Sequence, residues 1–207
     1  MTDNTVIRGA QREEAPLIAT MIMEAMNHEC CRNFAGERHT LGDFHRMMEG
    51  LVGMERSQYS YRNTLVAEAD GSVAGMLVCY DGALLHPLRE AFIAAARQHL
   101  GRDFSQMDDE TQAGELYLDS LCVLGEYRRR GIASALLRSS AALAVKMGLP
   151  AVGLLVDKCN PSAERLYRSL GFRCVGETTW GGHGMRHLQM ESVESGRLAA
   201  GRESATL

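Results

Sequence analysis

The chain has 207 residues, 45% hydrophobic and 23% charged, enough to bury one proper core, and no Ser/Gly/Pro-rich stretch divides it into two. A formal net charge of -4 argues against an overall electrostatic footprint for nucleic acid, and no apolar stretch approaches a membrane span or a signal-peptide core. The six cysteines contain no Cys-x-x-Cys pair, so the expectation is a cytoplasmic protein with free thiols.

Val6 to Gly9 reads as a short first strand. A helix follows it, with Leu17, Ile18, Met21, Ile22 and Met26 at helical spacing on a core face. Beyond it, Cys30 and Cys31 stand beside His28 and Glu29, but neighbouring side chains on a helix point in different directions, so no metal is expected. The pattern between Asn27 and Tyr61 is weak, except that Leu41, Phe44, Met47, Met48 and Leu51 line one side of a helix over 41–54, placed to wall a pocket.

Two β-prone runs, 64–69 and 73–80, are joined by Asp70-Gly71, a hairpin signal. Residues 84–114 read as an insertion between strands, with a helix over 87–100 that Pro87 opens and Gly101 stops. A strand over 115–124 then feeds a turn, 128–131, and a helix that runs to about Met147, ended by Gly148 and Pro150. The uninterrupted apolar run 151–156 suits a strand covered on both faces. Asn160-Pro161 supplies an N-cap and a first-turn proline for a helix ended by Gly171, and strands near 173–179 and 185–190 complete the series. This order predicts an α/β domain over residues 1–190 with a central sheet, and residues 191–207 read as a flexible tail.

The most informative stretch is Leu116 to Leu137, LYLDSLCVLGEYRRRGIASALL. A strand runs into Arg128, Arg129, Arg130 and Gly131, and the chain at once becomes a helix with the small residues Ala133, Ser134 and Ala135. Free amides and the dipole at a helix start favour an anion, and arginines add charge-assisted hydrogen bonds. The turn has neither G-x-x-x-x-G-K-[ST] nor G-x-G-x-x-G, so both nucleotide-loop patterns lack their glycines. A second stretch, DKCNPSAERLYRSLGF, Asp157 to Phe172, joins a strand end to a capped helix carrying Tyr167.

Together, Arg128-x-x-Gly131-x-Ala133 and Asn160-Pro161-x-Ala163-x-x-x-Tyr167 resemble the GNAT superfamily of N-acetyltransferases, clearly over 115–172. The resemblance implies a single domain with a mixed, mostly antiparallel sheet flanked by helices, and acetyl-CoA as co-substrate. It implies that the backbone of Leu121, Cys122 and Val123 pairs with the pantetheine arm, that Arg129, Arg130, Gly131, Ile132, Ala133 and Ser134 hold the pyrophosphate, and that Arg128, on the first motif position, is a further cofactor-binding residue. Asn160 would contact the cofactor near its reactive end, and Tyr167 would be the general acid. A homodimer is also implied.

The general base is left between two carboxylates. Strand alternation puts Glu115, Tyr117 and Asp119 on one face, where Asp119 or Glu115 would accept a proton through water. Some protein-acetylating members carry a glutamate five residues before the motif asparagine; here Leu155 stands there. His183, within Gly181-Gly182-His183-Gly184, reads as an exposed loop residue outside the catalytic set. The expected reaction is transfer of an acetyl group to a primary amine by direct attack, on a small molecule because an insertion tends to close a pocket. The alternatives are a protein N-acetyltransferase and a non-catalytic acyl-CoA sensor; no membrane or nucleic-acid partner is expected.

Overall fold

A computed structural model describes residues 5–192. Among them, the strands are β1 (Val6–Gly9), β2 (Thr64–Ala69), β3 (Ser72–Asp81), β4 (Glu115–Val123), β5 (Ala151–Asp157), β6 (Arg173–Trp180) and β7 (His183–Glu191). The helices are α1 (Ala15–Met26), α2 (His28–Ala35), α3 (Leu41–Val52), α4 (Leu85–Leu100), α5 (Ile132–Met147) and α6 (Pro161–Ser169). One sheet has the order β1-β2-β3-β4-β5-β7-β6. Its pairs are antiparallel except β4 with β5, so the expected mixed, mostly antiparallel α/β domain is what forms.

Helices cover both faces. On one, Ile18, Met21 and Ile22 of α1 and Phe44, Met48 and Leu51 of α3 meet Val66, Met76 and Val78 of the sheet. A twelve-residue helix is marginal alone; complete burial of Ile18, Met21 and Ile22, each contributing roughly 1.5–3 kcal/mol, is what holds α1. On the other face Ile132, Leu136 and Leu137 of α5 pack on Leu77, Leu116, Leu118, Val152 and Leu154.

Local chemistry accounts for the boundaries that the pattern missed. Asn27, at φ 66°, breaks what would be one long helix and caps α2 by accepting from the Cys30 amide at 3.0 Å. Thr40 and Asp43 form a reciprocal capping box that starts α3, and the amide and hydroxyl of Thr40 together with Arg46 hold the Asp43 carboxyl down at about 2. The α4 helix begins at Leu85 rather than Pro87. His183 opens β7 opposite Trp180, leaving Gly181 and Gly182 as the turn, which corrects its reading as a loop residue. Of the tail, Glu191 ends β7 and the Ser192 amide donates to Pro150 O at 2.9 Å; the remainder lies outside the described residues. No described helix is long and apolar enough to cross a membrane.

Candidate active site

The parallel pair is the origin of the site. Strands β4 and β5 pair only through Glu115–Ala151, Leu116–Val152 and Tyr117–Gly153 and then part. Beyond that point β4 follows β3 and β5 follows β7, so a wedge opens at the carboxyl ends of two parallel strands. The Leu124 amide donates to Ala74 O at 2.9 Å, which fixes the phase of the β3–β4 ladder. Residues directly opposite alternate between bonded and non-bonded pairs, so Cys122 bonds back to Met76 while Leu121 and Val123 present their backbone groups to the wedge. Cys122 is thereby corrected: its backbone faces β3, and its buried thiol, 3.6 Å from Glu24 Oε2, is pushed up to about 12 by burial and by that carboxylate.

The wedge's far end is the start of α5. Arg129 at φ 65° and Gly131 at φ 82° turn the chain sharply. Gly131 is the N-cap and brings no side chain, and the first helical bond runs from the Ala135 amide to Gly131 O. The amides of Ile132, Ala133 and Ser134 therefore have no partner within the helix. Arg128 Nε donates to the outward Val123 carbonyl at 3.0 Å, and Arg130 stacks over Tyr127 and reaches Asp70 at 3.4 Å. Gly75 lets α5 sit this close, since a Cβ there would lie 3.0 Å from Ile132 Cγ2.

On the opposite face, beside the wedge, is a buried polar cluster around Asp119. The β3–β4 register slips between Val78 and Cys79, leaving Asp119 as the extra residue of a bulge. Asp119 Oδ1 accepts from Ser120 Oγ at 2.8 Å, and Oδ2 accepts from Gln58 Nε2 and Tyr80 Oη at 3.4 Å each. Those two donors also reach Glu110 Oε1, at 3.3 and 3.2 Å. Glu110 Oε2 accepts from the Arg89 guanidinium and from Trp180 Nε1 at 3.3 Å. Burial raises both carboxyls above their ordinary values: the Asp119 charge raises Glu110 further and Arg89 offsets part of it, while for Asp119 the Ser120, Gln58 and Tyr80 bonds offset part. Gln58, Tyr80, Arg89, Glu110 and Trp180 escaped the sequence reading. Arg89 alone carried a signal, a charge on the apolar face of Leu85, Phe92 and Ala96.

Glu115 is not in this cluster. It lies at the closed end of the β4–β5 pair, fully buried, and its oxygens are taken by Thr111 Oγ1 at 2.6 Å, Gln189 Nε2 at 2.7 Å and His187 Nε2 at 2.8 Å. Burial pushes its carboxyl up, but these bonds outweigh burial and leave it below its ordinary value. A Cβ at Gly153 would lie 1.7 Å from Glu115 Oε2, so glycine makes room for this clamp between strands. The Glu115 carboxylate, expected as a candidate base, is here engaged by three side chains at the closed end of the strand pair.

Across the wedge, Asn160 caps α6 by accepting from the Ala163 amide at 3.1 Å. Tyr167 packs edge-on to Phe172 at 5.8 Å, its hydroxyl makes no hydrogen bond among the described residues, and burial pushes it up to about 12. Leu155 joins Tyr80, Tyr117, Leu85 and Leu88 in a small apolar cluster. A cavity of about 360 Å³ opens beyond Trp180, walled by α2 and the 104–108 segment; α3 contributes only indirectly, through Phe44 stacked on Phe34.

The model of the acetyltransferase (GNAT) family matches residues 23–172. A solved acetyltransferase structure superposes with a TM-score of 0.74 at 29% identity, over 91% of this chain and 100% of its own. The N-acetyltransferase from Staphylococcus aureus Mu50 gives 0.75 at 23% identity over 89% and 100%, a likeness of fold. GCN5-related N-acetyltransferase 4, chloroplastic, of Arabidopsis thaliana is 36% identical over 66 residues, a stretch covering 32% of this chain and only 23% of that protein. The family match takes in most of the sequence, both motif segments and the wedge between them, and the chain belongs to the acetyltransferase (GNAT) family.

Proposed function

We propose that this protein is an acetyl-CoA-dependent N-acetyltransferase whose acceptor is a primary amine on a small molecule. The observation that carries the reading is the parting of β4 from β5 after three residue pairs, with the uncapped start of α5 at its end. Outward backbone groups of Leu121 and Val123 suit a pantetheine amide laid down like an added strand, and three free amides beside Arg128, Arg129 and Arg130 suit a pyrophosphate. Acetyl-CoA supplies the activated thioester.

Asp119 is the base in this reading. Its raised carboxyl stands closer to neutrality than an ordinary aspartate, which favours proton removal from an ammonium before attack. The free amine attacks the thioester carbonyl, the C–N bond forms and the C–S bond breaks, and the second nitrogen proton passes to water as the amide forms. An outward amide of β4 opposes the developing oxyanion. Tyr167, held protonated, donates a hydrogen bond to the departing sulfur; the thiolate, near ~8.5 as a free thiol, then takes its proton from solvent. The family resemblance also carries a homodimer into the proposal.

Calorimetric titration with acetyl-CoA, ATP and NAD tests it. The expected result is saturable binding of acetyl-CoA alone, followed by CoA release when an amine is added. Absence of acetyl-CoA binding overturns the reading.

A further inference from the structure

Resting on that reading, we infer that the cavity between α2, the 104–108 segment and the β6–β7 turn is the acceptor subsite, and that it takes a primary amine carried on an aromatic body. Its volume of about 360 Å³ is at the low end for small-molecule sites, roughly 300–1,000 Å³, and matches a compact ligand. Its wall is aromatic. Phe34 lies 5.1 Å from Phe104 and 6.5 Å from Trp180, centroid to centroid, and Met107 lines the same wall. A ring inserted there meets edges and faces at the spacings that aromatic pairs prefer.

Charge selects the other end of the ligand. Glu29 and Asp108 line the cavity, both exposed, and no lysine or arginine does so. Carboxylates at an apolar opening attract a cation and repel an anion. Further in, the Trp180 indole donates to Glu110, whose other oxygen shares Gln58 and Tyr80 with Asp119. Arg89 pairs with the buried Glu110 and with Asp109, while the half-buried Asp119 accepts from the neutral donors Ser120, Gln58 and Tyr80, so an ammonium arriving at this end supplies the positive charge that Asp119 lacks. The ring lies against the wall and the amine points to Asp119, where it loses its proton.

Trp180 is the chain's one tryptophan, so its fluorescence reports occupancy without any turnover. Titration of the full chain with 2-phenylethylamine should give a saturable change at concentrations at least tenfold lower than butylamine, spermidine or 3-phenylpropanoate requires. Asp108→Asn, at an exposed position, should raise KM for the amine severalfold and leave KM for acetyl-CoA unchanged; Phe104→Ala should weaken the amine about tenfold. Equal or tighter binding of 3-phenylpropanoate, spermidine or a lysine peptide, or no saturable change with 2-phenylethylamine, overturns the inference. Calorimetry with acetyl-CoA separates the two failures: if the donor binds and the fluorescence is unresponsive, the subsite alone is wrong.

Discussion

Asp119 and Glu115 stand four residues apart on one strand and look alike in the sequence, yet their surroundings give them opposite properties. Glu115 accepts from three side chains and is held below its ordinary value, whereas Asp119, on the bulge, is raised by burial. Only the second is shifted toward neutrality, the direction that suits a base. Asp119→Asn should lower kcat by about 100-fold or more, the usual contribution of a positioned base, with acetyl-CoA affinity unchanged by calorimetry. In the wild type, kcat/KM should rise with pH through a value above that of an ordinary aspartate, and this limb should vanish in the variant. Tyr167→Phe removes a hydrogen bond to a developing charge, roughly 1.5–3 kcal/mol, so kcat should fall about 10- to 100-fold with donor binding intact. Equal loss of both would make Tyr167 a packing residue. The capped helix that holds Asn160 and Tyr167 was legible from the Asn160-Pro161 pair and the closing Gly171. The different surroundings of the two carboxylates were not, because Gln58 and Tyr80 reach Asp119 from 61 and 39 residues away, and Glu110, which shares those donors, lies in a segment with no periodicity to place it.

At the scale of elements, strands with clean alternation and helices with marked ends were readable from sequence: β1 and β2 run as expected, and α5 ends at Met147 against Gly148. Two features were not. The break between α1 and α2 depends on a left-handed Asn27, and the β4 bulge inverts the strand's facing, so that Leu116 and Leu118 but then Leu121 and Val123 point toward α5. Neither leaves a mark in a hydropathy pattern. The start of α5 permits a test that separates folding from binding. Glutamate in a first helical turn is stabilising by about 0.3–1 kcal/mol, but at Ser134 it would confront a bound pyrophosphate with like charge. Ser134→Glu should therefore keep or slightly raise Tm while weakening acetyl-CoA binding at least tenfold by calorimetry. An unchanged affinity would remove this helix start from the donor site.

Among the described residues, the carboxylates held away from their ordinary values include two groups with opposite pH dependence. Glu14, Glu115 and Asp43 are held below their ordinary values by hydrogen bonds from Arg8, from His187, Thr111 and Gln189, and from Thr40 with Arg46. Their contribution to stability is present above the unfolded value and is lost as pH falls through the folded one. Asp119 and Glu110 have raised values, so their contribution is full below the unfolded value and is lost as pH rises through the folded one. At neutral pH the ionised Asp119–Glu110 cluster is thus a burden on the fold, as buried charges commonly are. Asp119→Asn keeps the shape of the protonated acid and carries no charge. Its Tm at pH 7.5 should exceed that of the wild type by about 2–4 °C, the shift that roughly 1 kcal/mol produces in a chain of this size. Below about pH 4, where the wild-type carboxyl is protonated in both states, the difference should disappear. A variant less stable than wild type at pH 7.5 would mean that the ionised carboxylate, with its bonds from Ser120, Gln58 and Tyr80, holds β4 in place rather than straining it.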